Sequence, residues 1–179
     1  MTTEHPFATL GPDFIIDAVE STGLKSDARI LELNSYENRV FQIGIEATEP
    51  IIAKFYRPDR WTLNQIAEEH SFTQELSNHG LSVVAPMQID GRSWFTYNGF
   101  IIALFPRKGG RAPAIDDLNC LETLGRFIGR MHNVGAINKF THRPILSPSD
   151  YGEKSRSFLL DHKFIPLELE EAYSSVTEH

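Results

Sequence analysis

The chain has 179 residues, and its 17 Lys and Arg against 24 Asp and Glu give a net charge of −7 at pH 7. A hydrophobic content of 41% supplies enough apolar side chains for a packed core, which excludes a disordered chain. The acidic balance disfavours nucleic acid as a partner and favours a monomer. The longest apolar run, Phe100 to Phe105, is far shorter than the roughly 20 residues that cross a membrane.

Two features of the sequence favour a cytoplasmic location. Residues Met1–Phe7 contain neither the basic nor the apolar region of a signal peptide. Cys120 is the single cysteine, so no intrachain disulfide can form and a reducing compartment is expected. Because Cys120 falls within an apolar helical stripe, we expect a buried core thiol rather than a nucleophile.

The first elements along the chain are a helix and three strands. Pro12 suits the first position of a helix, and Gly23 marks its end. The apolar period then changes to two, and Val40–Ile45 predicts a half-buried strand. Its hairpin partner is predicted over Ile30–Leu33, and a third strand over Ile51–Tyr56.

A capped helix and a β-rich segment follow. Thr62–Gln65 forms a capping box, and Gly80 supplies the C-terminal stop of the helix. The Asp90-Gly91 and Asn98-Gly99 pairs are typical of type I′ hairpin turns. Three strands are predicted around these turns: Val83–Ile89, Arg92–Tyr97 and Phe100–Phe105. The result is an antiparallel meander with one helix inserted after its third strand.

The second half of the chain is predicted to be helical. A charged connector over 107–113 precedes a helix that begins near Asp116. Residues 135–149 are typical of a loop, and two helices separated at Pro166 complete the chain. The helix that begins near Asp116 has an apolar stripe formed by Leu118, Leu121, Leu124, Ile128 and Met131.

Lys54 interrupts the apolar pattern of the third strand. Period-two geometry places it on the same face as Ile52 and Tyr56. A lysine at such a position is costly unless an anion meets it, although snorkelling at a strand edge is an alternative. The pattern therefore predicts an anionic partner for Lys54.

Glu69 interrupts the apolar stripe of the capped helix in a similar way. Ile66 and Phe72 stand three residues to either side of it, so the carboxylate lies within the stripe. Glu68 faces away from Ile66 and is expected to be ordinary surface. We expect Lys54 and Glu69 to lie within ion-pair distance, or to face each other across a cleft. Taken alone, such a pair is as consistent with a structural role as with a functional one.

The order of a strand lysine, a helix glutamate and further hairpin strands resembles the small lobe of the protein-kinase-like fold. The similarity runs from about Leu10 to Arg143 and is closer still to the bacterial aminoglycoside/choline-kinase-like branch, and within it to the stress response kinase A family. The segments that carry it are Asn34–Phe41, Ala53–Pro58, Glu68–His70 and Leu124–His132.

The resemblance implies an α+β fold and a lobe organisation. Residues 1–106 would form the small, nucleotide-clamping lobe, 107–113 the hinge or connector, and 114–179 the first helices of an incomplete large lobe. It also implies a cytoplasmic stress-response enzyme, an ATP-dependent Ser/Thr protein kinase that acts on a protein substrate.

The resemblance further assigns ATP-binding roles. Lys54 would meet the α- and β-phosphates of ATP, and Glu69 would hold it. The loop over 34–39 would cover the phosphates, with Ser35 and Tyr36 close to them. The remaining contacts would come from apolar residues over the adenine ring and from a hinge backbone at its edge: Val40 and Ile52, then Ala103, Leu104 and Phe105.

The family also needs an H-G-D-x-x-x-x-N loop and a later acidic motif that binds Mg²⁺. Neither motif occurs in the 179 residues, and His132 is followed by Asn133 rather than by an aspartate loop. We therefore expect no catalytic or metal-binding residue here, and expect the chain to represent the first half of a kinase that is inactive alone.

Two alternatives remain open from the sequence. The first is a small-molecule phosphotransferase acting on an aminoglycoside, choline or homoserine, because acceptor selection belongs mainly to the other half of such enzymes. The second is a non-catalytic interaction module in which Lys54 and Glu69 form a structural pair.

Overall fold

The computed structural model describes residues 5–114 and 116–178. Met1–Glu4, Ile115 and His179 lie outside the described residues. The expectation drawn from Met1–Phe7, that no signal peptide is present, therefore falls mostly outside them. The chain divides into two compact units, Met1–His142 and Arg143–His179. The first unit extends beyond the predicted connector at 107–113, so the assignment of lobes stays a prediction.

The described part of the first unit contains one antiparallel sheet and three helices. In chain order these elements are α1 (Pro12–Glu20), β1 (Ser26–Leu33), β2 (Arg39–Ile45), β3 (Ile51–Phe55), α2 (Leu63–Asn78), β4 (Phe95–Tyr97), β5 (Phe100–Pro106) and α3 (Leu118–Gly135).

The strand order is β1-β2-β3-β5-β4, so β3 lies in the middle of the sheet between β2 and β5. The strand predicted over Val83–Ile89 is wrong. This segment forms one bridge, from Ile89 to Arg92, and one backbone hydrogen bond to β5, in which the Met87 N–H donates to the Leu104 carbonyl at 2.7 Å. Pro86 has no N–H to add to a ladder, which explains why pairing does not extend along the segment.

Both predicted glycine turns are confirmed by their backbone angles. Asp90 and Gly91 have φ of 49° and 75°, and Asn98 and Gly99 have φ of 42° and 89°. Positive φ at both central residues is the requirement of a type I′ turn. The second turn joins β4 to β5 and fixes β4 at the edge of the sheet.

The two faces of the sheet pack against different helices. On one face, Ile15, Ala18 and Val19 of α1 join a large apolar core with the sheet. On the other face, Ile66 of α2 packs against Tyr56 and Ala103. The helix is held at its start by the predicted capping box, in which Gln65 N–H donates to Thr62 Oγ1 at 3.3 Å.

The helix predicted near Asp116 is present as α3, but its apolar stripe is less buried than expected. α3 carries the predicted apolar stripe, but four of its members are exposed in this chain, namely Leu118, Leu121, Leu124 and Ile128. Cys120 is only partly buried, so the expected core thiol is wrong. Periodicity identifies an apolar face without identifying what covers it.

The described elements of the second unit are all helical. A π-helix over Ser149–Glu153 leads into α4 (Lys154–Asp161), and a 3₁₀ turn over Leu167–Leu169 leads into α5 (Glu170–Thr177). Pro166 lies in the break between α4 and the 3₁₀ turn, as predicted. No helix among the residues described in either unit is long and apolar enough to cross a membrane.

Candidate functional site

The ion pair predicted between β3 and α2 is confirmed. Lys54 Nζ lies 3.3 Å from Glu69 Oε1, with 21% of the lysine side chain and 34% of the glutamate side chain exposed. Lys54 pairs with Val40 of β2 and Ala103 of β5, so it stands in the middle of the sheet rather than at an edge. An ammonium carries three donors, so one carboxylate contact leaves capacity for a further anion.

Five of the predicted site residues share one face of the sheet. Directly opposed residues of antiparallel strands point to the same side, and Val40, Lys54 and Ala103 are opposed in that way. Ile52 and Phe105 form the next pair on the same face. Lys54 therefore has an apolar neighbour on each adjacent strand, as a clamp for an aromatic base and its phosphates requires.

Leu104 differs from the other predicted hinge residues. Its side chain belongs to the core on the opposite face of the sheet, where it pairs with Ala53. Its carbonyl accepts the hydrogen bond from Met87. Ala103–Pro106 thus lie within β5, and the irregular connector begins only at Arg107. A nucleotide-binding role for this stretch stays a prediction.

The loop between β1 and β2 is held by side chains that sequence reasoning missed. Glu37 accepts hydrogen bonds from Arg60 Nε at 2.9 Å and Trp61 Nε1 at 2.6 Å. Asn38 Oδ1 accepts from the Arg57 N–H at 3.2 Å. These contacts tie the loop to the segment that connects β3 to α2, and we call them the loop latch.

The loop latch also stabilises the charged form of Glu37. Burial raises the pKa of the Glu37 carboxyl, but hydrogen bonds from Arg60 and Trp61 outweigh it and hold the pKa below its ordinary value. Ser35 Oγ donates to the Asn38 carbonyl, and the side chain of Tyr36 is fully exposed. The Ser35 hydroxyl is therefore engaged within the loop, whereas the Tyr36 ring is open to solvent.

α2 is also held from a second side by residues after α3. Glu68 accepts hydrogen bonds from the Thr141 N–H at 2.5 Å and the His142 N–H at 3.0 Å. Asn138 Nδ2 donates to Glu75 Oε1 at 3.0 Å two turns further along the helix. We call these contacts the α2 bracket. The expectation that Glu68 is ordinary surface is wrong, because its partners are more than 70 residues away in the sequence.

The described ranges 5–114 and 116–178 contain no group of three or more His, Cys, Asp or Glu side chains arranged to hold an ion. The residues around Lys54 fit a phosphate-bearing ligand, with one ammonium beside the apolar residues Val40, Ile52 and Ala103.

An antiparallel sheet with an inserted helix, and a strand lysine paired to a glutamate of that helix, is the arrangement of the small lobe in the kinase-like fold. Residues 29–162 match the APH family, described as the Phosphotransferase enzyme family. The chain belongs to this family.

Curated relatives carry kinase names. Stress response kinase A of Escherichia coli (strain K12) is 40% identical over 172 residues, a match that covers 96% of this chain and 52% of that protein. The Serine/threonine protein kinase RdoA of Salmonella typhimurium is 37% identical over the same shares of both chains. The chain therefore spans about half the length of the curated relatives it matches.

Solved structures give the same fold at lower identity. Amicoumacin kinase hAmiN, in complex with AMP-PNP and Ca²⁺, has a TM-score of 0.63 at 20% identity, covering 87% of this chain and 49% of that one. Spectinomycin phosphotransferase APH(9)-Ia, in complex with ADP, has a TM-score of 0.57 at 14% identity, covering 86% and 47%. The predicted kinase-like α+β fold is confirmed.

Proposed function

We propose that this chain is the nucleotide-clamping portion of an ATP-dependent Ser/Thr protein kinase of the stress-response type. The observation that carries the proposal is the 3.3 Å contact between Lys54 Nζ and Glu69 Oε1 on the face of the sheet that packs against α2. A lysine fixed in this way supplies a point charge for the α- and β-phosphates of ATP. The names of the 37–40% identical relatives support a protein acceptor.

The other ATP contacts follow from the positions around this pair. Val40 and Ile52 lie on the same face as Lys54 and would cover the adenine ring. The loop with Ser35 and Tyr36 would lie over the phosphates. The hinge role is proposed for the backbone of β5 at Ala103, Leu104 and Phe105.

The reaction would be divided between this chain and the part of its relatives that the chain does not match. Positioning the acceptor hydroxyl and binding Mg²⁺ require the aspartate-containing loop and the later acid, and neither motif occurs among the 179 residues. Mg²⁺, when bound there, would neutralise charge on the phosphates. This chain would bind and orient ATP, in a cytoplasmic and monomeric enzyme.

Radiolabelled ATP tests the proposal with the full-length protein. We expect label on Ser or Thr of the enzyme and of a generic protein substrate, detected by phosphoamino-acid analysis. Label on an aminoglycoside, choline or homoserine with none on protein would contradict the proposed acceptor class. No nucleotide binding by a folded full-length protein would contradict the clamp itself and favour the interaction module.

A further inference from the structure

A chain of three polar side chains lies behind Lys54. Tyr56 Oη is 2.7 Å from His70 Nε2, and His70 Nδ1 is 2.9 Å from Ser93 Oγ. Tyr56 and His70 are 2% and 3% exposed. Tyr56 belongs to the apolar cluster that contains Ile66, and the His70 ring contacts Phe105, which packs against that cluster. A polar group buried among apolar side chains is costly unless it is hydrogen-bonded, and here both ring nitrogens of His70 have a partner.

The imidazole of His70 is neutral at physiological pH. Burial lowers its pKa to about 4, and the positive charge of Lys54 acts in the same direction against the opposing effect of Glu69. A neutral imidazole has one N–H and one lone pair, so it donates on one side and accepts on the other. The three side chains therefore form one directional hydrogen-bonded chain.

The Tyr56 ring faces the ammonium of Lys54. Lys54 Nζ lies 4.3 Å from the centroid of this ring while it also contacts Glu69. The electron-rich face of a tyrosine attracts an ammonium without neutralising its charge. The lysine is thus oriented by two groups, a carboxylate from α2 and a ring at the end of β3.

We propose that Tyr56 is a positioning residue for Lys54, and that His70 and Ser93 fix the angle of its ring. The proposal rests on the proposed function, because it assumes that Lys54 meets phosphate. Glu69 alone constrains one end of a long, flexible side chain. The ring removes further orientations, so its loss should weaken nucleotide binding rather than abolish it.

Calorimetric titration of the full-length protein with Mg²⁺ and AMP-PNP tests the proposal. We expect Tyr56→Leu to weaken binding by about fivefold or more, the order that an ammonium over a ring contributes. His70→Gln keeps the ring but breaks its support, and we expect a smaller loss with a melting temperature close to that of the wild type. Tyr97→Leu is the matched control, since the Tyr97 ring packs edge-to-face with Phe14 on the opposite face of the sheet from Lys54.

A second measurement does not depend on nucleotide. The ε-CH₂ protons of Lys54, assigned by their loss in Lys54→Met, should be shifted upfield by the ring and return toward the ordinary lysine position in Tyr56→Leu. If Tyr56→Leu does not fold, His70→Gln decides the question by binding. Unchanged affinity in a folded His70→Gln or Tyr56→Leu protein, or an unshifted Lys54, would overturn the positioning role. A wild type that shows the shift but binds no AMP-PNP would refute the proposed function and leave the Tyr56 contact intact.

Discussion

Glu68 and Glu69 are adjacent in α2, yet they fix the helix to two different parts of the chain. Glu69 meets Lys54 in the centre of the sheet at 3.3 Å, whereas Glu68 accepts backbone hydrogen bonds from Thr141 and His142. Consecutive helical residues diverge by about 100°, so neighbouring carboxylates can serve opposite flanks. The two carboxylates therefore anchor α2 both to the sheet and to the segment after α3.

The α2 bracket predicts a stability effect at Glu68. Glu68→Ala removes the acceptor of two exposed backbone N–H groups, and we expect a loss of about 0.5–1.5 kcal/mol in the free energy of unfolding. Urea denaturation measures it. Glu122→Ala is the control, because Glu122 forms an exposed i,i+4 pair with Arg126, a kind of pair that contributes only about 0.3–0.5 kcal/mol. Equal losses in the two variants would contradict the bracket.

The loop latch predicts that Glu37 controls the mobility of the β1–β2 loop. Glu37→Gln keeps the size of the side chain but removes the charge that Arg60 and Trp61 contact. We expect faster amide hydrogen exchange in residues 34–38, with exchange in α1 unchanged. Exchange rates in the loop that match those of the wild type would show that the carboxylate does not restrain it.

His70 predicts a pH dependence with a definite sign. Its pKa is about 4 in the folded protein against about 6.5 when unfolded, so the unfolded state binds the proton more readily. The contribution of neutral His70 to stability is present above pH 6.5 and is lost as the pH falls toward 4. Melting temperatures from pH 7 to 4 should fall less steeply for His70→Gln than for the wild type, and parallel curves would contradict this assignment.

The 179-residue chain alone should transfer no phosphoryl group. Positioning the nucleophile and neutralising phosphate charge need the aspartate loop and the later acid, and those motifs are absent from these residues. The measurement is release of labelled phosphate from ATP by homogeneous protein of verified mass. Steady turnover by that material would place catalytic groups within this chain and contradict the proposed division of the reaction.

Local patterns in the sequence predict the centre of the site well. Lys54 and Glu69 each break an apolar period, and a charge on a buried face needs a partner, so their pairing could be anticipated. His70 lies four residues after Ile66 on the buried side of the same helix, and the same argument would have indicated that it is buried and hydrogen-bonded. Its partner Ser93 carries no such signal.

Contacts between distant segments could not be predicted in this way. Glu37 and Trp61, or Glu68 and Thr141, meet only because the fold brings them together, and each looks like an ordinary polar or surface residue in its own segment. The Val83–Ile89 segment has the composition of a strand, but Pro86 has no N–H to donate. The segment therefore forms only one backbone hydrogen bond to β5 and is not a strand of the sheet.

The central claim is that Lys54 meets the phosphates of ATP, and Lys54→Met in the full-length protein tests it most directly. Met keeps most of the aliphatic length and removes the point charge, so packing losses should be small. If the pair were only structural, Glu69 would be left without this partner, a change that costs about 3–5 kcal/mol at fully buried sites and less at one that is partly exposed. Glu69→Gln serves as the companion variant.

The measurement pairs the melting temperature with ATP-dependent autophosphorylation. The account predicts that Lys54→Met retains a melting temperature close to that of the wild type and loses phosphoryl transfer, while Glu69→Gln retains the fold with reduced transfer. Full phosphoryl transfer by a folded Lys54→Met protein would contradict the role of Lys54 at the phosphates.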